Sequence, residues 1–228
     1  MRTKIIVPIR PRNFSVAKRQ TLAILKKFDL VEIWLDRLVQ LTPANLSQLD
    51  QLATKQLIFN LKDQAEKGEF PGSPRARLDL LLTLKKNFVD LPLTFPQKLL
   101  TEFQNKSQAP LILSWHDFQK MPTLAKLQSL AKKAENKGAH IIKLVGTAQK
   151  FPDNLVILKL AAELQQRRAK FITLAMDKLG EITRVQAPFF GMFGMFAPLD
   201  QKHNTAPGQI PAAELKKWWQ IFFNYPQN

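Results

Sequence analysis

The sequence predicts an α/β fold, a (β/α)8 TIM barrel forming a single domain over residues 1–228. Three observations carry that expectation. Eight short runs of β-branched and apolar residues recur along the chain, each followed by a longer amphipathic stretch. This alternation demands parallel strands with helical crossovers. No Gly/Ser-rich linker or low-complexity segment separates the repeats, so they belong to one closed set. Finally, the first run leads into Arg10-Pro-Arg-Asn13, with no glycine. The competing open doubly wound sheet normally places a glycine-rich phosphate loop there.

The strand candidates are 4–9, 30–36, 57–63, 87–93, 110–117, 139–146, 170–177 and 193–198. The helices are expected at 15–27, 44–54, 74–85, 95–105, 122–137, 151–168, 178–186 and 211–222. Thr42-Pro43, Ser73-Pro74 and Phe95-Pro96 put proline near a first turn, where its missing N–H costs nothing. Gly138 closes the fifth helix before the sixth strand. The aromatic cluster Trp218, Trp219, Phe222 and Phe223 is expected to pack the last helix on the barrel or on a second subunit. Gly191 and Gly194, in FFGMFGMF, are expected to allow close approach of buried strand and turn.

Composition narrows the chemistry. The 228 residues include 34 Lys and Arg against 18 Asp and Glu, a formal charge of +16. Such a surface attracts anions, although the Lys-Lys pairs lie in helical segments and read chiefly as solvated faces. Zinc-finger, basic-zipper and aromatic ribonucleoprotein signatures are missing, so nucleic acid is not the expected partner. Cysteine is absent and only three histidines occur, which excludes thiolate metal sites and argues against a His-rich one. No apolar run is long enough to span a membrane. No membrane partner is expected, and the chain reads as a cytoplasmic protein.

In a barrel of this type, polar residues at the carboxyl ends of strands form the active site. Period-two alternation puts Glu32, Trp34 and Asp36 on one face of their strand, Asn60 and Lys62 on one face of the next, and Ser114 with His116 likewise. Lys143 interrupts the apolar strand HIIKLVG. One reading is a lysine extending its charge to solvent from a strand end. The other is a nucleophilic amine, deprived of its proton by a dry pocket, that forms a Schiff base. His140 has the opposite parity and is expected outside the site.

These stretches also carry a specific resemblance. LVEIWLD (30–36), EKGEFPGS (66–73), LSWHDF (113–118), GAHIIKL (138–144), MDKLGEITRV (176–185) and TAPGQI (205–210) occur in the order and spacing of the type I 3-dehydroquinate dehydratases. The similarity covers nearly the whole chain. It implies a carbon–oxygen hydro-lyase that eliminates water from 3-dehydroquinate through a Schiff base. The product would be 3-dehydroshikimate, an intermediate of aromatic amino acid biosynthesis by the shikimate pathway. No cofactor or metal is implied; the partners implied are a small carboxylate substrate and a second copy of the chain.

The resemblance also implies roles. Lys143 falls at the imine-forming lysine, His116 at the general acid/base, and Glu66 at the acid that orients that histidine. Arg184 matches a residue that binds the substrate carboxylate. Thr205 and Gln209 match lid residues that contact substrate, Glu32 a contact to its hydroxyls, and Met176 a residue packing on its ring. Trp34 and Lys62 stand where the family usually has arginines, and Pro8 and Pro92 also depart from it. These departures predict weakened or shifted substrate binding. A related Schiff-base lyase or aldolase, or a non-catalytic anion-binding homologue, is the alternative. The chain begins directly in its first strand, so the N-terminal hairpin that plugs the barrel bottom in many members is expected to be missing.

Overall fold

A computed structural model of the chain describes residues 2–223. The elements alternate as β1 (Lys4–Ile9), α1 (Phe14–Leu25), β2 (Leu30–Trp34), α2 (Pro43–Asp50), β3 (Leu57–Asn60), α3 (Pro74–Leu81), β4 (Phe88–Pro92) and α4 (Gln97–Lys106). They continue as β5 (Leu111–His116), α5 (Leu124–Asn136), β6 (Ile141–Thr147), α6 (Asn154–Gln166), β7 (Phe171–Met176), α7 (Glu181–Val185), β8 (Gly194–Phe196) and α8 (Ala212–Phe223). The strands form one sheet in the order β7-β6-β5-β4-β3-β2-β1-β8. The pairs β1–β8, β2–β3, β3–β4 and β6–β7 are all parallel. That is the strand order of a (β/α)8 barrel, as the alternation requires.

The helices start where short polar side chains can accept from orphan N–H groups. Asn13 accepts from Val16 N at 3.0 Å, Thr42 from Asn45 N at 3.2 Å, Ser73 from Ala76 N at 3.2 Å and Thr123 from Lys126 N at 3.3 Å. Pro43 and Pro74 occupy first helical positions, whereas Pro96 precedes α4 as its cap.

Contacts divide the chain into two compact units. One contains the chain up to Val7 and from Leu113 onward; the other is Pro8–Ile112. In the first, β6 and β7 pair over six registered positions, from Ile142↔Phe171 to Thr147↔Met176. Phe193 N donates to Phe171 O at 2.8 Å and so links the approach to β8 with β7. At Gly194 a Cβ would come within 2.8 Å of Ile6 Cδ1, which explains glycine at the start of β8. Gly191 is different from expectation: it sits at φ +60°, and a Cβ there would meet nothing nearer than Gln165 Nε2 at 3.9 Å, so it serves the turn rather than close packing.

In the second unit, β2, β3 and β4 run in register through Glu32↔Ile58, Trp34↔Asn60 and Asn60↔Asp90. The strands are shorter than the apolar runs suggest. Leu35–Arg37 turns into a 3-10 helix, and β3 stops at Asn60 rather than reaching residue 63. Beyond it the chain doubles back: Gly68 N donates to Asp63 O at 2.7 Å and Phe70 N to Lys62 O at 3.0 Å. A Cβ on Gly68 would collide with the Cβ and carbonyl of Lys62, so this tight return requires glycine. Among the described residues, no helix is long and apolar enough to cross a membrane.

Candidate active site

Lys143 is only 4 % exposed and sits in the middle of β6. Its Nζ lies 4.1 Å from the centroid of the Phe196 ring. Phe196 ends β8, and β8 is not a neighbour of β6 in the sheet. A side chain of one that reaches a side chain of the other must cross the interior, so Lys143 points inward.

His116 ends β5, half-buried, with its ring stacked on Phe118 at 5.4 Å between centroids. Its position relative to Lys143 follows from one hydrogen bond. Asp117 N donates to Val145 O at 2.9 Å. Between β6 and β7 the same type of bond, Ile142 N to Lys170 O, accompanies the pairing Ile142↔Phe171. By that relation Asp117 pairs with Gly146, Ser114 with Lys143 and His116 with Val145. His116 therefore shares the face of Lys143, one side-chain step nearer the carboxyl end. Thr147 fastens this end, its Oγ1 donating to Asp117 O at 2.8 Å.

Arg184, on α7, is 1 % exposed. Its Nη1 donates to Phe196 O at 3.3 Å and its Nη2 to Pro207 O at 3.5 Å, while Nε has no partner. No carboxylate among the described residues pairs with this guanidinium. Burial pushes it down to about 10, with Glu181 opposing the shift, so it remains a cation at neutral pH. A buried cation held directly by carbonyl dipoles, with Glu181 acting on it only from beyond ion-pair distance, is a costly arrangement. Trp219, fully buried on α8, fixes the segment by donating from Nε1 to Arg184 O at 3.3 Å. The last helix thus packs through Trp219, whereas Trp218 is 40 % exposed and stacks on Phe222.

The loop after β8 is docked. Gln209 Oε1 accepts from Thr205 N at 2.8 Å and from Ala206 N at 3.2 Å, and its Nε2 donates to Thr205 Oγ1 at 3.0 Å. Pro207 O accepts from Asp177 N at 3.3 Å, and Gly208, at φ +72°, packs so closely on Asp177 that a side chain would clash with its carbonyl. Met176, 5 % exposed, ends β7 immediately before Asp177.

The other unit carries a second polar cluster at the ends of β1–β4. Glu32 is 2 % exposed. Its Oε2 accepts from Trp34 Nε1 at 2.7 Å and its Oε1 from Asn60 Nδ2 at 3.3 Å, which also reaches Asp90 Oδ2 at 3.4 Å. Lys62 Nζ sits 3.8 Å from the centroid of Trp34, and the Arg10 guanidinium carbon 4.8 Å from it. Glu66 closes a 3-10 turn and binds Arg77 Nη1 through Oε2 at 2.5 Å. Burial raises the Glu66 carboxyl above its ordinary value, and Arg77 opposes that shift.

Sequence reasoning named ten site residues, and the structure buries or half-buries every one of them: Glu32, Trp34, Lys62, Glu66, His116, Lys143, Met176, Arg184, Thr205 and Gln209. Asp36 lies beyond the strand, in the 3-10 turn, and accepts from Glu69 N at 3.0 Å. His140 is exposed, as its parity predicts. Three residues were missed. Phe196 looked like ordinary core. Arg10 follows the last residue of β1, a position that could have drawn notice. Arg77 shares the inward stripe of α3 with Leu81 at i,i+4 spacing, and an arginine on an apolar stripe needs an acidic partner.

Fold and site together define a (β/α)8-barrel protein with an inward lysine amine and a buried guanidinium that forms no ion pair among the described residues. The sequence pattern of the family described as type I 3-dehydroquinase matches residues 5–226, and the chain belongs to that family. A 3-dehydroquinate dehydratase of Methanococcus maripaludis C6 is 30% identical over 219 residues, 93% of this chain and 97% of that one. The 3-dehydroquinate dehydratase of Methanocaldococcus jannaschii is 28% identical over 223 residues, covering 95% and 98%. The crystal structure of 3-dehydroquinate dehydratase from Geobacillus kaustophilus superposes with a TM-score of 0.86 at 24% identity, covering 99% of this chain and 93% of that one.

Proposed function

We propose that the chain, acting as one catalytic domain, is a 3-dehydroquinate dehydratase that eliminates water through an imine on Lys143. One observation carries this reading: an amine buried inside the sheet, against the ring of Phe196, in a member of the type I 3-dehydroquinase family. Lys143 Nζ attacks the ring ketone, and the carbinolamine takes up one proton and loses water, giving a cationic imine; the final hydrolysis gives that proton back. The imine is a far better electron sink than the ketone, so the neighbouring C–H becomes acidic. His116 removes that proton; the resulting enamine expels the β-hydroxyl, which His116 protonates so that it departs as water. Hydrolysis then returns the amine and releases 3-dehydroshikimate.

Glu66 holds the imidazole oriented, as the third member of a triad does. Its Oε2 is engaged by Arg77, and Oε1 is the oxygen for a second donor. Arg184 receives the substrate carboxylate, and the new anion relieves its unpaired charge. Met176 packs on the substrate ring, Thr205 and Gln209 cover it, and Glu32, Trp34 and Lys62 form its hydroxyl-binding side. We place the reaction in the cytoplasm, within aromatic amino acid biosynthesis. The exposed Trp218, Ile221 and Phe222 on α8 favour a homodimer, which sedimentation in an analytical ultracentrifuge or light scattering would test.

The direct test supplies 3-dehydroquinate and follows the ultraviolet absorbance of the conjugated product. Turnover is expected, and none would overturn the reading. Arg184→Gln is expected to raise KM by about tenfold or more, the worth of a charge-assisted hydrogen bond. An unchanged KM would contradict carboxylate binding there.

A further inference from the structure

Trp34 organises more than its own strand end. Its indole N–H holds Glu32 Oε2 at 2.7 Å, and its ring carries Lys62 Nζ at 3.8 Å and the Arg10 guanidinium at 4.8 Å. Such distances are those of cation–π contacts, which fix a cation without neutralising it. Glu32, Trp34 and Lys62 are each less than 10 % exposed, whereas Arg10 is half-buried. Arg10 also follows β1 directly, at the carboxyl end where barrel proteins bind substrate. Glu32 and Asp36 both act on it electrostatically, and burial together with Arg37 lowers its proton affinity.

The cluster therefore offers a buried carboxylate acceptor flanked by two cationic donors, all set by one indole. That combination suits a polyhydroxylated ligand, because each hydroxyl both donates and accepts. We propose that Arg10 is a substrate-binding residue, using the Trp34 ring as its platform and donating to hydroxyl oxygens beside Glu32. Position 34 carries no charge, and Arg10 delivers the cation to the same place from β1. This rests on the reading of the chain as a 3-dehydroquinate dehydratase. Trp34 is the positioning residue of the pair, and the arrangement is a route to substrate affinity that does not need an arginine on β2.

The test is steady-state kinetics with 3-dehydroquinate on the full chain, with thermal melting alongside. Arg10→Gln is expected to raise KM by about tenfold or more while kcat changes by less than about twofold, the mark of a lost binding contact. Arg10→Lys, which keeps charge without the planar fork, should fall between it and the parent. Trp34→Leu should also raise KM, and Arg10→Gln added to it should do little more, because the platform is already gone. Unchanged KM in Arg10→Gln, or full additivity with Trp34→Leu, overturns the proposal. If Arg10→Gln does not fold, Arg10→Lys decides: parental KM overturns the proposal and raised KM supports it. Absence of turnover in the parent protein overturns this proposal and the dehydratase reading together. Parental turnover with an indifferent Arg10→Gln overturns this proposal alone.

Discussion

His116→Ala is expected to form the substrate imine on Lys143 yet to release product ~10²–10⁴-fold more slowly, the usual worth of a positioned acid/base group. The two halves of that expectation have separate causes. Imine formation needs the Lys143 amine and its apolar setting against Phe196, which the substitution leaves alone. Proton removal and protonation of the leaving hydroxyl need a group of suitable pKa on the same face, one step along the strand, and alanine has none. His116 is half-buried and its ring stacks on Phe118, so thermal melting of the variant alongside separates loss of chemistry from loss of fold. Single-turnover kinetics with chemical trapping separates the steps. Parental turnover would remove His116 from the mechanism.

Arg77→Leu should be the most damaging single change to stability. Arg77 is 2 % exposed and its partner Glu66 has a side chain 13 % exposed, so leucine strands a carboxylate with little water. Breaking one side of such a pair typically costs about 3–5 kcal/mol. The lower end is expected, because Nε and Nη2 of Arg77 have no partners to lose. The pH dependence has a definite sign. Burial already raises the folded-state pKa of Glu66 above the unfolded one. The native state then binds this proton more readily than the unfolded state, so stability falls as pH rises between the two values and stays lowered above both. Removing Arg77 takes away the larger of the two charges that oppose the shift, leaving Lys62. The deficit of the variant should be greatest at neutral pH and shrink on acidification, as urea titrations across that range would show. A deficit independent of pH would mean that the loss is packing alone. Glu66→Leu added to Arg77→Leu should recover stability while leaving activity low.

Much of this was legible in the sequence because period and position are local. All eight strands and all eight helices stand where the apolar runs and proline starts put them. Lys143 stood out because a charge on an apolar strand is expensive, and its burial follows the same logic. What the sequence hid depends on pairing across elements. The run LIFNLKD read as one strand, but only LIFN is extended. The return held by Gly68 is invisible until Lys62 is seen beneath it. Trp34 read as the loss of a cation. Its partnership with Arg10 just after β1 and Lys62 beyond β3 brings together residues more than twenty positions away on either side, a meeting no periodicity reports. Arg184 was placed by motif alone; that it is buried with its Nε unsatisfied is a fact of packing.

The central claim is that the Lys143 amine carries the substrate. Borohydride reduction in the presence of 3-dehydroquinate, followed by peptide mass spectrometry, tests it most directly. A covalent adduct is expected on the peptide containing Lys143, absent from Lys143→Ala together with all turnover. Turnover that persists in Lys143→Ala, or an adduct on a different lysine, would contradict it.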